Sequence, residues 1–103
     1  MAEERWRRRE TARLEARRVL REKLSSLARN GTRFWVYGSL TKPGRFHENS
    51  DIDLAVEDPE SVVNLARVQN AISEATGRES DVVRMEETRL AGRIRRDGEL
   101  WAV

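Results

Sequence analysis

Residues 33–56 read RFWVYGSLTKPGRFHENSDIDLAV, and this stretch restricts the fold more than any other. Arg33 to Tyr37 is short, aromatic and β-branched, which is the composition of a strand. Ile52 to Val56 is a second run of the same kind. Between them Pro43, Gly44 and Asn49 supply loop chemistry. Side chains alternate along a strand. Ile52, Leu54 and Val56 therefore share an apolar face that belongs in a core. Asp51 and Asp53 share the other face.

The flanks complete the order α-β-β-α-β-α. A helix is expected over residues 4–29, with Ala16, Val19, Leu20, Leu24 and Leu27 on one side. Asn30-Gly31 stops it. Its first ten residues lack an apolar stripe and are expected to project or fray. Asp58-Pro59-Glu60 reads as a helix start, with aspartate as N-cap and proline at the first helical position. Val62, Leu65, Ala66 and Ile72 would line its buried side, and Gly77 would end it. Asp81 to Met85 is a third strand. Glu86 to Asp97 is a last helix with Leu90 and Ile94 inward. Residues 100–103 are expected to add a short strand or pack on the core. The predicted class is α/β: one small mixed β-sheet with helices packed against it. Its 103 residues make one domain.

The formal charge of +2 conceals an asymmetry. Residues 1–30 carry ten Lys/Arg against five Glu, and residues 31–103 carry ten against thirteen acids. The first helix is thus basic and the remainder mildly acidic. For most of that helix, Glu–Arg pairs on a solvated face account for the charge. Arg5, Arg7, Arg8 and Arg9 stay open as a surface for phosphates or an acidic partner. Trp6 among them is either a packing anchor or part of a partner surface. There is no cysteine, hence no disulfide and no thiolate metal site. No apolar run reaches the length of a membrane span, and no secretory leader is expected. A cytoplasmic location is expected.

Two carboxylates at this spacing repel, and each raises the other's pKa. A divalent cation compensates directly, and Mg²⁺ prefers carboxylate and water oxygens. Asp81 is the candidate third acid. It opens a strand that follows a crossover helix, so strands two and three can lie side by side with Asp81 next to Asp53. Gly38 removes the Cβ that would obstruct a triphosphate, and the Ser39 amide and hydroxyl can bond phosphate oxygens. Lys42 and Arg45 follow on the loop as further cations. With two metal ions such a set suits in-line attack on an α-phosphorus. His47, the one histidine, reads as a loop residue without a catalytic role, and Ser50 as a local cap.

The stretch YGSLTKPGRFHENSDIDLAV resembles the nucleotidyltransferase superfamily of DNA polymerase β and kanamycin nucleotidyltransferase. It is most similar to the minimal nucleotidyltransferases of bacteria and archaea. Gly38, Ser39, Asp51, Ile52, Asp53, Leu54 and Asp81 fill the places of their pattern. The loop from Ser39 to Asp51 is about one residue longer than usual, and Pro43 precedes Gly44 where many members have Arg-Gly. The resemblance covers residues 31–103 and implies a nucleotidyltransferase fold with these as the catalytic core, and the basic N-terminal helix over 1–30 is longer than the family minimum. It implies transfer of a nucleoside monophosphate, AMP above all, from an NTP with two Mg²⁺ ions. Asp51, Asp53 and Asp81 would be the catalytic and metal-binding residues. Gly38, Ser39, Lys42 and Arg45 would bind the nucleotide. It further implies a HEPN-domain toxin as partner, adenylylated on a tyrosine by this chain acting as antitoxin. The alternative is a non-catalytic antitoxin that neutralises by contact through the basic helix and Trp6. RNA binding by the arginines is the weakest of the three options.

Overall fold

The computed structural model describes residues 2–103. In chain order the elements are α1 (Ala2–Leu27), β1 (Arg33–Tyr37), a 3-10 turn (Gly38–Thr41) and β2 (Ile52–Glu57). Then come α2 (Leu65–Thr76), β3 (Ser80–Arg84), α3 (Ala91–Asp97) and β4 (Glu99–Ala102). The strands form one mixed sheet in the order β3-β2-β1-β4. The β1–β2 and β1–β4 pairs are antiparallel. The β2–β3 pair is parallel, with α2 as its crossover. No helix is long and apolar enough to cross a membrane.

Alternation sorts the two sheet faces. Phe34, Val36, Ile52, Leu54, Val56 and Val82 point to one face and are buried with Leu20 and Leu24 of α1 and Val68 and Ile72 of α2. This is the main core. Trp101 of β4 joins it, with the guanidinium of Arg21 4.1 Å from its ring centroid. The opposite face carries a smaller cluster in which Ile94 of α3 and Met85 meet Ala55, flanked by Trp35, Tyr37 and Val83. Helix α3 covers only part of that face.

Two expectations, both helix starts, require correction. The helix expected from Asp58 begins at Leu65, and Asn64 is its cap, accepting from the Arg67 amide. The Asp58 carboxylate instead accepts from the amides of Val62 and Val63 and holds Arg84, which keeps residues 58–63 out of a helix. Ser61 has a φ of 54° within this turn. Val62 and Ala66, expected inside, are exposed. The last helix starts at Ala91 rather than Glu86. The Glu86 carboxylate is taken by the Asp58 amide and the Thr88 hydroxyl by the Leu90 amide, so the 86–90 segment turns and Leu90 is exposed. The first ten residues, expected to project or fray, are helical from Ala2 onward, and Ala2 to Arg9 are exposed.

Part of the basic face of α1 is structural. Arg13 is buried, bonded through Nε and Nη2 to Glu10 and through Nη1 to the Leu40 carbonyl. Arg17 reaches the same carbonyl and pairs with Glu99. Glu10 also accepts from the Gly44 amide. This lattice clamps the 3-10 turn and the loop after it onto α1. The expectation of a solvated face holds for Arg18, between Glu15 and Glu22, and for Arg7 with Glu3.

Candidate active site

On β2 the apolar face uses Ile52, Leu54 and Val56, so Asp53 points with Ala55 to the partly open face. On β3, Asp81 alternates with Val82 and shares that face with Val83. The parallel register sets Asp53 opposite Asp81, and the antiparallel register sets Tyr37 opposite Asp53. Tyr37, Asp53 and Asp81 thus form a row across three strands. Asp51 lies just ahead of β2, exposed, as is Asp81; Asp53 is half-buried.

The electrostatics follow from that row. Burial pushes the Asp53 carboxyl up, and the charges of Asp51 and Asp81 push it further in the same direction. Burial, with Asp53 and Asp81 beside it, pushes the Tyr37 hydroxyl up to about 12. Tyr37 is therefore a protonated donor at neutral pH. The sequence marked it only as a strand residue. The parity of the β1–β2 pairing is the signal that would have found it.

Gly38 closes the site on the β1 side. It has a φ of +77°, and a Cβ there would stand 2.8 Å from Asp53 Oδ2. Only glycine combines that backbone with that approach. Ser39 is half-buried in the 3-10 turn, and its hydroxyl makes no hydrogen bond among the described residues. Thr41 secures the turn by donating from Oγ1 to the Gly38 carbonyl, 2.8 Å. Lys42 and Arg45 are separated. Lys42 lines a pocket with Gly38, whereas Arg45, beyond the Pro43-Gly44 turn, does not.

The approach to Asp51 is held by Arg78, a residue the sequence did not single out. Its Nη1 donates to the carbonyls of His47 and Ser50, and its guanidinium lies 4.0 Å from the Phe46 ring centroid. Ser50 is buried and its hydroxyl accepts from the His47 amide. His47 is exposed, and its Nδ1 accepts from the Asn49 amide, in line with a loop role.

Among the described residues no three His, Cys, Asp or Glu side chains converge as a ready metal cage. The donor set nonetheless fits Mg²⁺. That ion is usually held by one or two carboxylates, waters and substrate phosphates rather than by an all-protein cage. The mutual repulsion centred on Asp53 supplies the negative field such a cation offsets.

The family model described as Polymerase beta, Nucleotidyltransferase matches residues 22–101, which include every candidate residue of this site. The chain belongs to this nucleotidyltransferase family. Two solved structures share its architecture. One is the crystal structure of a toxin-antitoxin with AMP-PNP, at 21% identity and a TM-score of 0.64. The other is a mutant of the toxin-antitoxin MntA-HpeT, at 17% identity and a TM-score of 0.61. Each likeness covers 80% of the nucleotidyltransferase chain described here and 69% of the other chain. At such identities the likeness is one of fold. No curated protein matches the chain.

Proposed function

We propose that this nucleotidyltransferase moves AMP from ATP to a tyrosine hydroxyl of a HEPN-domain toxin, and so acts as its antitoxin. The observation that carries this reading is the register pairing of Asp53 with Asp81, two residues on from Asp51 and against Gly38. The toxin-antitoxin character of both structural neighbours, one of them with AMP-PNP, supports the choice of an adenine nucleotide and of a toxin as partner.

In this reading Asp51 and Asp53 would hold two Mg²⁺ ions, with Asp81 assisting at one of them. When bound, the ions neutralise phosphate charge and favour departure of pyrophosphate. Gly38 lets the triphosphate approach the backbone, and Ser39 offers its amide and hydroxyl to phosphate oxygens. Lys42 and Arg45 add positive charge along the loop. The acceptor oxygen attacks the α-phosphorus in line, the bond from that phosphorus to the β-bridging oxygen breaks, and pyrophosphate leaves with the electron pair. Asp81 takes the hydroxyl proton. Positioning and charge neutralisation supply most of the acceleration.

The test is intact-mass measurement of the product of the neighbouring gene, after incubation with this chain, each NTP and Mg²⁺. One added AMP is expected with the wild type and none with Asp53→Asn. A variant that kept near-normal transfer would sink the proposal.

A second reading, neutralisation by contact alone, has one observation in its favour. Arg5, Arg8 and Arg9 of α1 line an open groove of about 350 Å³ with Arg78 and His47. None of the four arginines has a carboxylate partner among the described residues. Trp6 beside them is 49% exposed and lies against Gly44, where a Cβ would overlap its indole. On this reading Arg8→Glu with Arg9→Glu abolishes neutralisation and Asp53→Asn leaves it intact. The opposite pattern would refute it.

A further inference from the structure

Between the 3-10 turn and α3 lies a pocket of about 210 Å³ that opens beside Gly38. Tyr37, Gly38 and Lys42 line one side, and Arg93, Ile94 and Asp97 of α3 line the other. It sits on the β1 side of Asp53, away from Asp81, because Tyr37 is the register partner of Asp53 and Asp81 stands one strand further over. In a transfer reaction the two reacting ends must be opposed. A base at Asp81 places the acceptor on the β3 side, and in-line geometry then sends the leaving group toward β1.

The charge of this pocket suits that leaving group. Lys42 and Arg93 come from separate elements, and neither has an ion-pair or hydrogen-bond partner for its cationic head among the described residues. The one acid in the lining, Asp97, is paired with Arg96 at 3.4 Å. Several other arginines are committed: Arg13 to Glu10, Arg17 to Glu99, Arg84 to Asp58 and Arg33 to Glu57. Two uncommitted cations thus line a small cleft beside Gly38, a lining whose charge suits an anion. A guanidinium forks onto phosphate oxygens in a way an ammonium does not.

We propose that this pocket binds the β- and γ-phosphates of the NTP, and that Arg93 is the second cation, with Lys42, on the pyrophosphate leaving group. The inference rests on the transferase reading above and adds a residue of α3 that no sequence pattern marked. Arg93 holds charge that exists in the intact triphosphate and grows on the bridging oxygen as the bond to the α-phosphorus breaks. The positive charge of the site is unchanged by the step, and pyrophosphate carries the electron pair away.

Calorimetric binding in Mg²⁺ buffer separates this from a general surface role. The probes are the α,β-methylene analogue of ATP, inorganic pyrophosphate and AMP, each titrated into wild type, Arg93→Ala and Arg93→Lys. Loss of a charge-assisted contact is expected to weaken the analogue and pyrophosphate about tenfold or more. AMP, which lacks the terminal phosphates, is expected to bind as before. Arg93→Lys should recover part of the loss. Equal weakening of all three probes, or no weakening of any, overturns the assignment of Arg93 and leaves the transferase reading standing. A wild type that binds neither the analogue nor pyrophosphate overturns both.

Discussion

Gly38→Ala would place a methyl carbon 2.8 Å from Asp53 Oδ2 and force a left-handed φ on a residue with a side chain. The backbone term alone costs about 1–2 kcal/mol. Displacing the carboxylate by a fraction of an ångström or more harms positioning, where a 1 Å error is worth about a hundredfold in rate. The expected outcome is a lower urea midpoint together with a transfer rate down by about that factor, read on the same preparation. Asp53 itself behaves in the opposite sense. Its native carboxyl is raised by burial, Asp51 and Asp81, so the native state holds the proton more tightly than the unfolded chain. Stability therefore declines as pH rises from the ordinary carboxylate value through the raised one. Asp53→Asn removes that cost. In metal-free buffer at pH 7 it should melt higher than wild type while being inactive, a trade of stability for chemistry. A lower melting point would argue against repulsion at this site.

The connection from β2 to α2 shows how one carboxylate redirects an element. Asp58 begins where a helix cap is expected, yet its oxygens bridge the Val62 and Val63 amides to Arg84 on β3. Burial raises its carboxyl, but those two amides and the Arg84 guanidinium outweigh burial and leave it below the usual range. For such a group the stabilisation is present above the unfolded carboxylate pKa, near ~4, and disappears as pH falls through the lowered native value. Asp58→Asn should thus lower the urea midpoint at pH 7 and nearly match wild type at the acid end of that window. A midpoint gap that persists unchanged in acid would show that the carboxylate charge is not what matters. Arg78 does comparable work before β2, joining residues 46–50 to the chain that leads into β3. Arg84 ties the loop after β2 to the end of β3, and Arg78 ties the loop before β2 to the turn ahead of β3.

Across the whole molecule, the layers explain why the acids are reachable. Helices α1 and α2 occupy one sheet face, and the short α3 leaves the Asp53–Asp81 end of the other face uncovered. A ligand that binds there in the native state alone must stabilise the entire chain. With Mg²⁺ and a non-hydrolysable ATP analogue at 100 times its Kd, the gain is about 2.7 kcal/mol. The melting temperature should rise accordingly in wild type, fall back on chelation of the metal, and stay nearly flat in Asp53→Asn. An equal shift in both proteins would place the nucleotide elsewhere.

Strand content and the side-by-side placement of Asp53 and Asp81 were legible from residue order. They depend on local parity and on the rule that a parallel pair needs a crossover. The matching family pattern in residues 37–56 was legible for the same reason, since it is contiguous. Helix boundaries at 58–65 and 86–91 were not legible. There, distant partners took the capping groups: Arg84 from β3 drew on Asp58, and the Asp58 amide drew on Glu86. The commitment of Arg13 and Arg17 to the 3-10 turn was equally invisible, because a basic residue on a helix has the same letter whether it is solvated or buried against a carbonyl 23 or 27 positions away. The same holds for Arg93. Its place opposite Lys42 arises when α3 folds back over β1, and spacing along the chain carries no trace of it.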